Sequence, residues 1–101
     1  MAYANPAIAA LADPTRNAVF DQVVTGPKSV SEIAAVLPVT RPAVSQHLKV
    51  LKAAGLVRDE SLGTRRIYRV DPAGLGELRR WLDQRWESAL ANFQEKAEED
   101  R

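Results

Sequence analysis

Four times in this 101-residue chain a side chain suited to capping a helix stands beside a proline: Asn5-Pro6, Asp13-Pro14, Thr40-Arg41-Pro42 and Asp71-Pro72. A capping oxygen satisfies amides that a helix start leaves without partners, and proline fits the first turn because its fixed φ is already helical and it has no amide to lose. Each pair therefore marks a helix start and forbids any strand or helix from running through it. Ser29 with Glu32 three residues on adds a fifth start, a capping box. Stops fall between them at Gly26-Pro27, Pro38 and Gly55. The chain is thus partitioned into short helices before any hydrophobic pattern is considered.

Periodicity fills in the faces. The first helix runs from Pro6 to near Asp13 with Ile8 and Leu11 as its apolar edge, and the second, from Pro14 to Gly26, buries Ala18, Val19, Phe20, Val23 and Val24. Val30 to Leu37 makes a short helix that buries Ile33 and either Val36 or Leu37. A longer one, Arg41 to Ala54, carries Val44, Leu48 and Leu51 on one face and ends at a left-handed Gly55. The pattern then changes period. Leu56-Val57-Arg58-Asp59 and Ile67-Tyr68-Arg69-Val70 read as a β-hairpin around Leu62-Gly63-Thr64, with Arg65 and Arg66 at its tip. A last helix, about Ala73 to Lys96, places Leu75, Leu78, Leu82, Trp86, Ala89 and Phe93 at three- and four-residue steps, while Gly74 and Gly76 weaken its first turn.

Charge is distributed unevenly. Residues 1–40 hold two basic and three acidic side chains, whereas residues 41–69 hold Arg41, Lys49, Lys52, Arg58, Arg65, Arg66 and Arg69 against only Asp59 and Glu60. The remainder is acidic, so a formal charge of +1 conceals a concentrated positive middle that suits a polyanion if the fold gathers it on one face. No apolar run reaches the ~20 residues of a membrane span, and no basic segment precedes the weakly apolar N-terminus, which points to a cytoplasmic protein. The absence of cysteine excludes disulfides, thiolate metal sites and thiol redox sensing. A single histidine leaves no triad geometry, no glycine-rich phosphate loop is present, and the carboxylates of the last helix interleave with Arg79, Arg80 and Arg85 as solvated pairs. Catalysis is therefore not expected.

The element order, α-α-α-α-β-β-α, is mainly α with a small β-hairpin, the order of a single winged helix-turn-helix domain over residues 1–101. In that reading Val30–Leu37 positions the recognition helix that follows. Opposite its apolar side stand Arg41, Ser45, Gln46, Lys49 and Lys52. Thr40 and Ser45 hydroxyls and the Gln46 amide suit base edges or phosphates, and Lys49 and Lys52 suit the DNA backbone as point charges. RNA is disfavoured, because an A-form groove is too narrow for such a helix and no aromatic stacking platform is present.

The run Arg41-Pro42-Ala43-Val44-Ser45-Gln46-His47-Leu48-Lys49-Val50-Leu51-Lys52-Ala53-Ala54-Gly55-Leu56-Val57, with Leu11-Ala12-Asp13-Pro14-Thr15-Arg16, Ser31-Glu32-Ile33-Ala34 and Gly63-Thr64-Arg65-Arg66-Ile67-Tyr68, resembles the ArsR/SmtB-like winged-helix transcriptional repressors of bacteria. The resemblance covers about residues 6–95. It implies a homodimer whose recognition helices enter successive major grooves of an imperfect palindrome, with the arginine-tipped wings on flanking backbone or minor groove. It also implies that His47 contacts phosphate or packs at the helix surface, and that the terminal helices form the dimer seam. The last point has independent support, since Trp81, Leu82, Trp86, Leu90 and Phe93 offer more apolar surface than so small a core can cover, with Ala89 between them and Tyr3, Ile8 and Leu11 completing the seam. The chain departs from metal-sensing relatives in lacking their cysteine pairs and Asp/His clusters, so neither a metal nor another cofactor is expected. An unidentified small molecule or protein, or autorepression alone, is left as the control. The competing reading is a winged-helix module whose basic wing meets an acidic protein partner.

Overall fold

In the computed structural model, which describes residues 5–99, the helix starts fall where the caps put them. Helix α1 spans Pro6–Leu11, with Asn5 Oδ1 accepting from the amides of Ala7 and Ile8 at 2.9 and 3.2 Å. Helix α2 spans Pro14–Val24, capped by Asp13 Oδ1, which accepts from the Arg16 amide at 3.0 Å. Helix α3, Val30–Val36, has the complete capping box: Ser29 Oγ accepts from the Glu32 amide and Glu32 Oε1 accepts from the Ser29 amide, at 3.2 and 3.1 Å. Helix α4, Arg41–Ala53, starts under Thr40, whose hydroxyl accepts from the Ala43 amide at 3.3 Å.

The end of α4 is as well defined as its start. Gly55, at φ +80°, donates to Lys52 O, and Leu56 donates to Leu51 O at 3.0 Å. Those two bonds close the left-handed stop that glycine permits, and the Leu51 and Leu56 side chains, both fully buried, seal it from within. Strands β2, Val57–Leu62, and β3, Arg65–Val70, follow as an antiparallel pair joined by Gly63-Thr64, with Gly63 at φ +63° supplying the positive dihedral that a two-residue hairpin turn requires. Both strands are longer than the hydrophobic runs indicated, because the turn-proximal positions pair in register while facing solvent. A third strand, β1, Lys28–Ser29, pairs with β3 through Lys28↔Tyr68 and Ser29↔Ile67, giving the order β1-β3-β2. The hairpin is thus one side of a three-stranded sheet anchored to the start of α3.

The core is built from Val19, Val23, Ile33, Val44, Leu48, Leu51, Leu56 and Val57, with Phe20, Tyr68 and Leu78 closing it. Some apolar assignments change: Ala18 is half-buried rather than buried, and of the alternatives Val36 and Leu37 it is Leu37 that turns inward. In α1 the small Ala7 and Ala10 are buried, allowing close approach to the domain, while Ile8 is 36% exposed and Leu11 half-buried. Val24, in the last turn of α2, and Val36, in the last turn of α3, both face solvent; Ile33 is buried and Leu37 half-buried beside it.

Helix α5, Pro72–Glu99, begins at Asp71, whose carboxylate accepts from the Ala73 amide and whose own amide donates to Leu56 O at 2.9 Å. Its first turn lies against the end of α4 so closely that a Cβ on Gly74 would sit 1.7 Å from Gly55 O. Gly74 is therefore a contact residue as well as a poor helix former. Farther on, α5 leaves the domain: Leu78 is buried, Trp81 is half-buried with the Arg85 guanidinium 3.6 Å above its ring, and every residue from Leu82 to Glu99 is exposed. The radius of gyration, 17.6 Å, records that overhang, since a compact chain of this length would have about 13 Å.

Candidate nucleic-acid interface

Helices α3 and α4 are joined by Leu37-Pro38-Val39, and α4 is seated by Val44, Leu48 and Leu51, all fully buried. With its inner face fixed, the outer face is fixed too. Gln46 and Lys49 are exposed there, with exposed Lys52 and half-buried Ser45 at its edge, while Thr40 and Arg41 stand exposed at the helix start. Free amides of the first turn and the helix dipole give that end a positive potential. His47 does not share this face. At 3.6 residues per turn it projects from the opposite flank with the half-buried Val50 and Ala54, and near enough to Asp13 to favour that carboxylate electrostatically. The spacing contained this signal, because His47 lies between the buried positions 44 and 51.

Arg65 and Arg66 are adjacent on β3 and so point to opposite sides of the sheet. Arg65 donates to Glu32 Oε1 at 2.6 Å and Ser29 Oγ at 3.1 Å, tying the wing to the start of α3. Arg66 pairs with Asp59 at 2.5 Å, and Lys52 of α4 pairs with the other oxygen of the same carboxylate at 2.8 Å. Arg69 pairs with Glu60. Among the described residues, Arg41, Lys49 and Arg58 form no ion pair, while the other four basic residues of the positive middle share three carboxylates once folded. Asp59 is the participant the sequence reading passed over. On β2 it alternates with Arg58 and Glu60 onto the side of buried Val57, an inward position where a carboxylate requires cationic partners.

The proton affinities follow these contacts. Hydrogen bonds from Lys52 and then Arg66 hold Asp59 below the ordinary carboxylate range against the opposing effect of burial. The backbone and hydroxyl of Ser29, with Arg65, do the same for Glu32.

Leu75, Leu82, Trp86, Leu90 and Phe93 form an exposed stripe along α5, with Trp86 at 68% and Phe93 at 70% exposure and Ala89 between them. Ile8 is exposed on α1, Leu11 is half-buried against the core, and Tyr3 lies outside the described residues.

A tight helix-turn-helix, its second helix buried inside and polar outside, followed by a basic antiparallel sheet, defines a winged helix-turn-helix. The helix-turn-helix domain family matches residues 11–60. The HTH-type transcriptional regulator Rv2034 of Mycobacterium tuberculosis is 56% identical over 84 residues, covering 83% of this chain and 78% of that protein. Among solved structures, an ArsR-like transcriptional regulator from Rhodococcus sp. RHA1 matches with a TM-score of 0.75 at 33% identity, over 89% of this chain and 88% of that one. The homodimeric winged helix-turn-helix DNA-binding domain (fragment 1-100) of Mb0332 from Mycobacterium bovis, a possible ArsR-family regulator, matches at 0.66 and 27% identity, over 84% and 79%. The chain belongs to the ArsR/SmtB-like family of winged helix-turn-helix transcriptional regulators.

Proposed function

We propose that this chain is a homodimeric, metal-independent repressor that binds an imperfect palindrome in double-stranded DNA and acts in the cytoplasm, with its own promoter as a target. The observation that carries this reading is α4, whose apolar side is wholly buried while Gln46 and Lys49 face solvent on the opposite side, with half-buried Ser45 at its edge and exposed Arg41 in the first turn. Gln46 and Ser45 read bases. Thr40, Arg41, Lys49, Lys52, Arg65 and Arg66 engage phosphates, and His47 supports the helix from its inner flank beside Asp13. A dimer seated across two major grooves represses by occupying promoter DNA that polymerase needs.

Dimerisation is supported by area as well as by the homodimeric M. bovis domain. The chain exposes 7055 Å², against about 5,700 Å² for a compact monomer of its mass, and α5 is exposed throughout from Leu82 to Glu99. A stable interface takes about 800 Å² per partner, which the α5 stripe with Ile8, Leu11, Leu82, Trp86, Ala89, Leu90 and Phe93 can supply. Metal independence rests on composition, since a chain with no cysteine and one histidine lacks the cysteine pairs and Asp/His clusters of metal-sensing relatives.

Fluorescence anisotropy with the duplex upstream of the chain's own gene, against a scrambled duplex at several salt concentrations, tests the reading. The upstream duplex is expected to bind preferentially at one dimer per site. Gln46→Ala should lower that preference by ~1–3 kcal/mol, whereas Lys49→Ala should weaken both duplexes alike and flatten the salt dependence. No binding of either duplex at low salt would sink the proposal in favour of a protein-contact module.

A further inference from the structure

We infer that Asp59 is a specificity-determining positioning residue, whose buried carboxylate holds Lys52 of α4 and Arg66 of β3 as a fixed two-cation clamp for a backbone phosphate at the junction of recognition helix and wing. The inference rests on the DNA-binding reading and adds to it a residue that itself touches no DNA.

The burial pattern separates this ion cluster from the others. The Asp59 side chain is 6% exposed, while those of Lys52 and Arg66 are 55% and 56% exposed, so the carboxylate lies beneath and the two cations present their outer sides to solvent. The carboxylates of the neighbouring pairs, Glu32 with Arg65 and Glu60 with Arg69, are 48% and 47% exposed. Those two can be resolvated when their arginines leave, and such exposed pairs are weak. Asp59 has no such freedom. If Lys52 and Arg66 both swung toward a distant phosphate, the one carboxylate they share would lose both partners at once, which is less favourable than parting either of the exposed pairs. They stay, and the phosphate has to come to them.

A phosphate can complete this arrangement because its two non-ester oxygens are spaced much like the two carboxylate oxygens that the cations already span. The consequence is a geometric demand. A duplex in the correct register places a phosphate over both cations, whereas one in another register meets charges that Asp59 partly cancels and holds in place. The carboxylate therefore lowers affinity for unrelated DNA while fixing where the correct backbone must lie. It also links two elements that otherwise meet DNA separately, since Lys52 closes α4 and Arg66 stands two residues beyond the wing turn.

Asp59→Asn keeps the size of the side chain but removes its charge and turns one of its two acceptor oxygens into a donor, so that it can hold only one of the two cations. In the anisotropy titrations, it is expected to tighten binding to scrambled duplex several-fold, steepen the salt dependence and reduce the preference for the upstream duplex about tenfold. Arg66→Lys keeps every charge but replaces a planar fork with a mobile point charge. It should weaken binding to both duplexes, the upstream duplex more than the scrambled one, and so reduce the preference several-fold. An unaltered preference in a folded Asp59→Asn protein overturns the inference, whether or not overall affinity changes. Should Asp59→Asn fail to fold by circular dichroism, Arg66→Lys alone decides, and an unaltered preference there overturns it equally. Failure of the unsubstituted protein to prefer its upstream duplex is a different result, which removes the DNA-binding reading itself.

Discussion

Asp13, Glu32 and Asp59 each hold their protons less tightly than an ordinary carboxyl, for causes visible in their contacts. Asp13 accepts the Arg16 amide, Glu32 accepts the Ser29 amide and faces Arg65, and Asp59 lies between Lys52 and Arg66. Since folding lowers these pKa values, the unfolded chain binds protons first as pH falls. The stabilisation is fully present above the ordinary carboxylate pKa, about 4, and is lost as pH falls through the lower folded-state values. The thermal midpoint is therefore expected to drop on acidification from about pH 5 downward, and to drop less in Asp59→Asn. A midpoint that stays level through this range would contradict the pairing described. At this scale the sequence was legible wherever partners are three residues apart, as for the caps of Asn5, Asp13, Ser29 and Thr40. It was not legible for Lys52 with Asp59 or Arg65 with Glu32, because such pairs exist only after the strands have found their register. His47 is the intermediate case: its flank follows from helical spacing, although the motif around it suggested a DNA contact.

Elements follow the same rule of range. All five helices were legible because proline, capping oxygens and a left-handed glycine act within one turn. The two-residue strand β1 was not, because nothing in Lys28-Ser29 has strand character and its pairing joins residues about 40 positions apart. Gly74 shows how a local rule can be right and incomplete. Glycine does weaken the first turn of α5, yet the close approach to Gly55 O requires it there. Gly76, two residues on, meets only the end of the Arg80 side chain at an ordinary 3.6 Å. Gly76→Ala should accordingly be neutral or stabilising by up to ~1 kcal/mol, whereas Gly74→Ala should lower the thermal midpoint by several degrees. Equal midpoints for the two variants would mean that the Gly74–Gly55 contact does not constrain the fold.

For the whole molecule, the exposed half of α5 decides how the chain exists in solution. An 18-residue stretch from Leu82 to Glu99 with no buried residue has little reason to hold together alone, since isolated helices of that length are marginal in water. In the proposed dimer a second copy covers Leu82, Trp86, Leu90 and Phe93 and so stabilises both helices. Trp86→Ala with Phe93→Ala is expected to shift sedimentation velocity from dimer to monomer at micromolar concentration and to weaken DNA binding in parallel. A dimer that survives both substitutions would place the seam elsewhere.

The contact between Gly55 and Gly74 then acquires a mechanical meaning. Helix α5 is about 42 Å long, and it is rooted where α4 ends, backbone against backbone. A tilt of about 5° at that root moves its far end by roughly 4 Å, more than half the rise of one helical turn. In the proposed dimer the same lever works in reverse, so that the angle held at two glycines sets how far apart the pair of α4 helices stands, and hence the tolerance in half-site separation that the protein can accept.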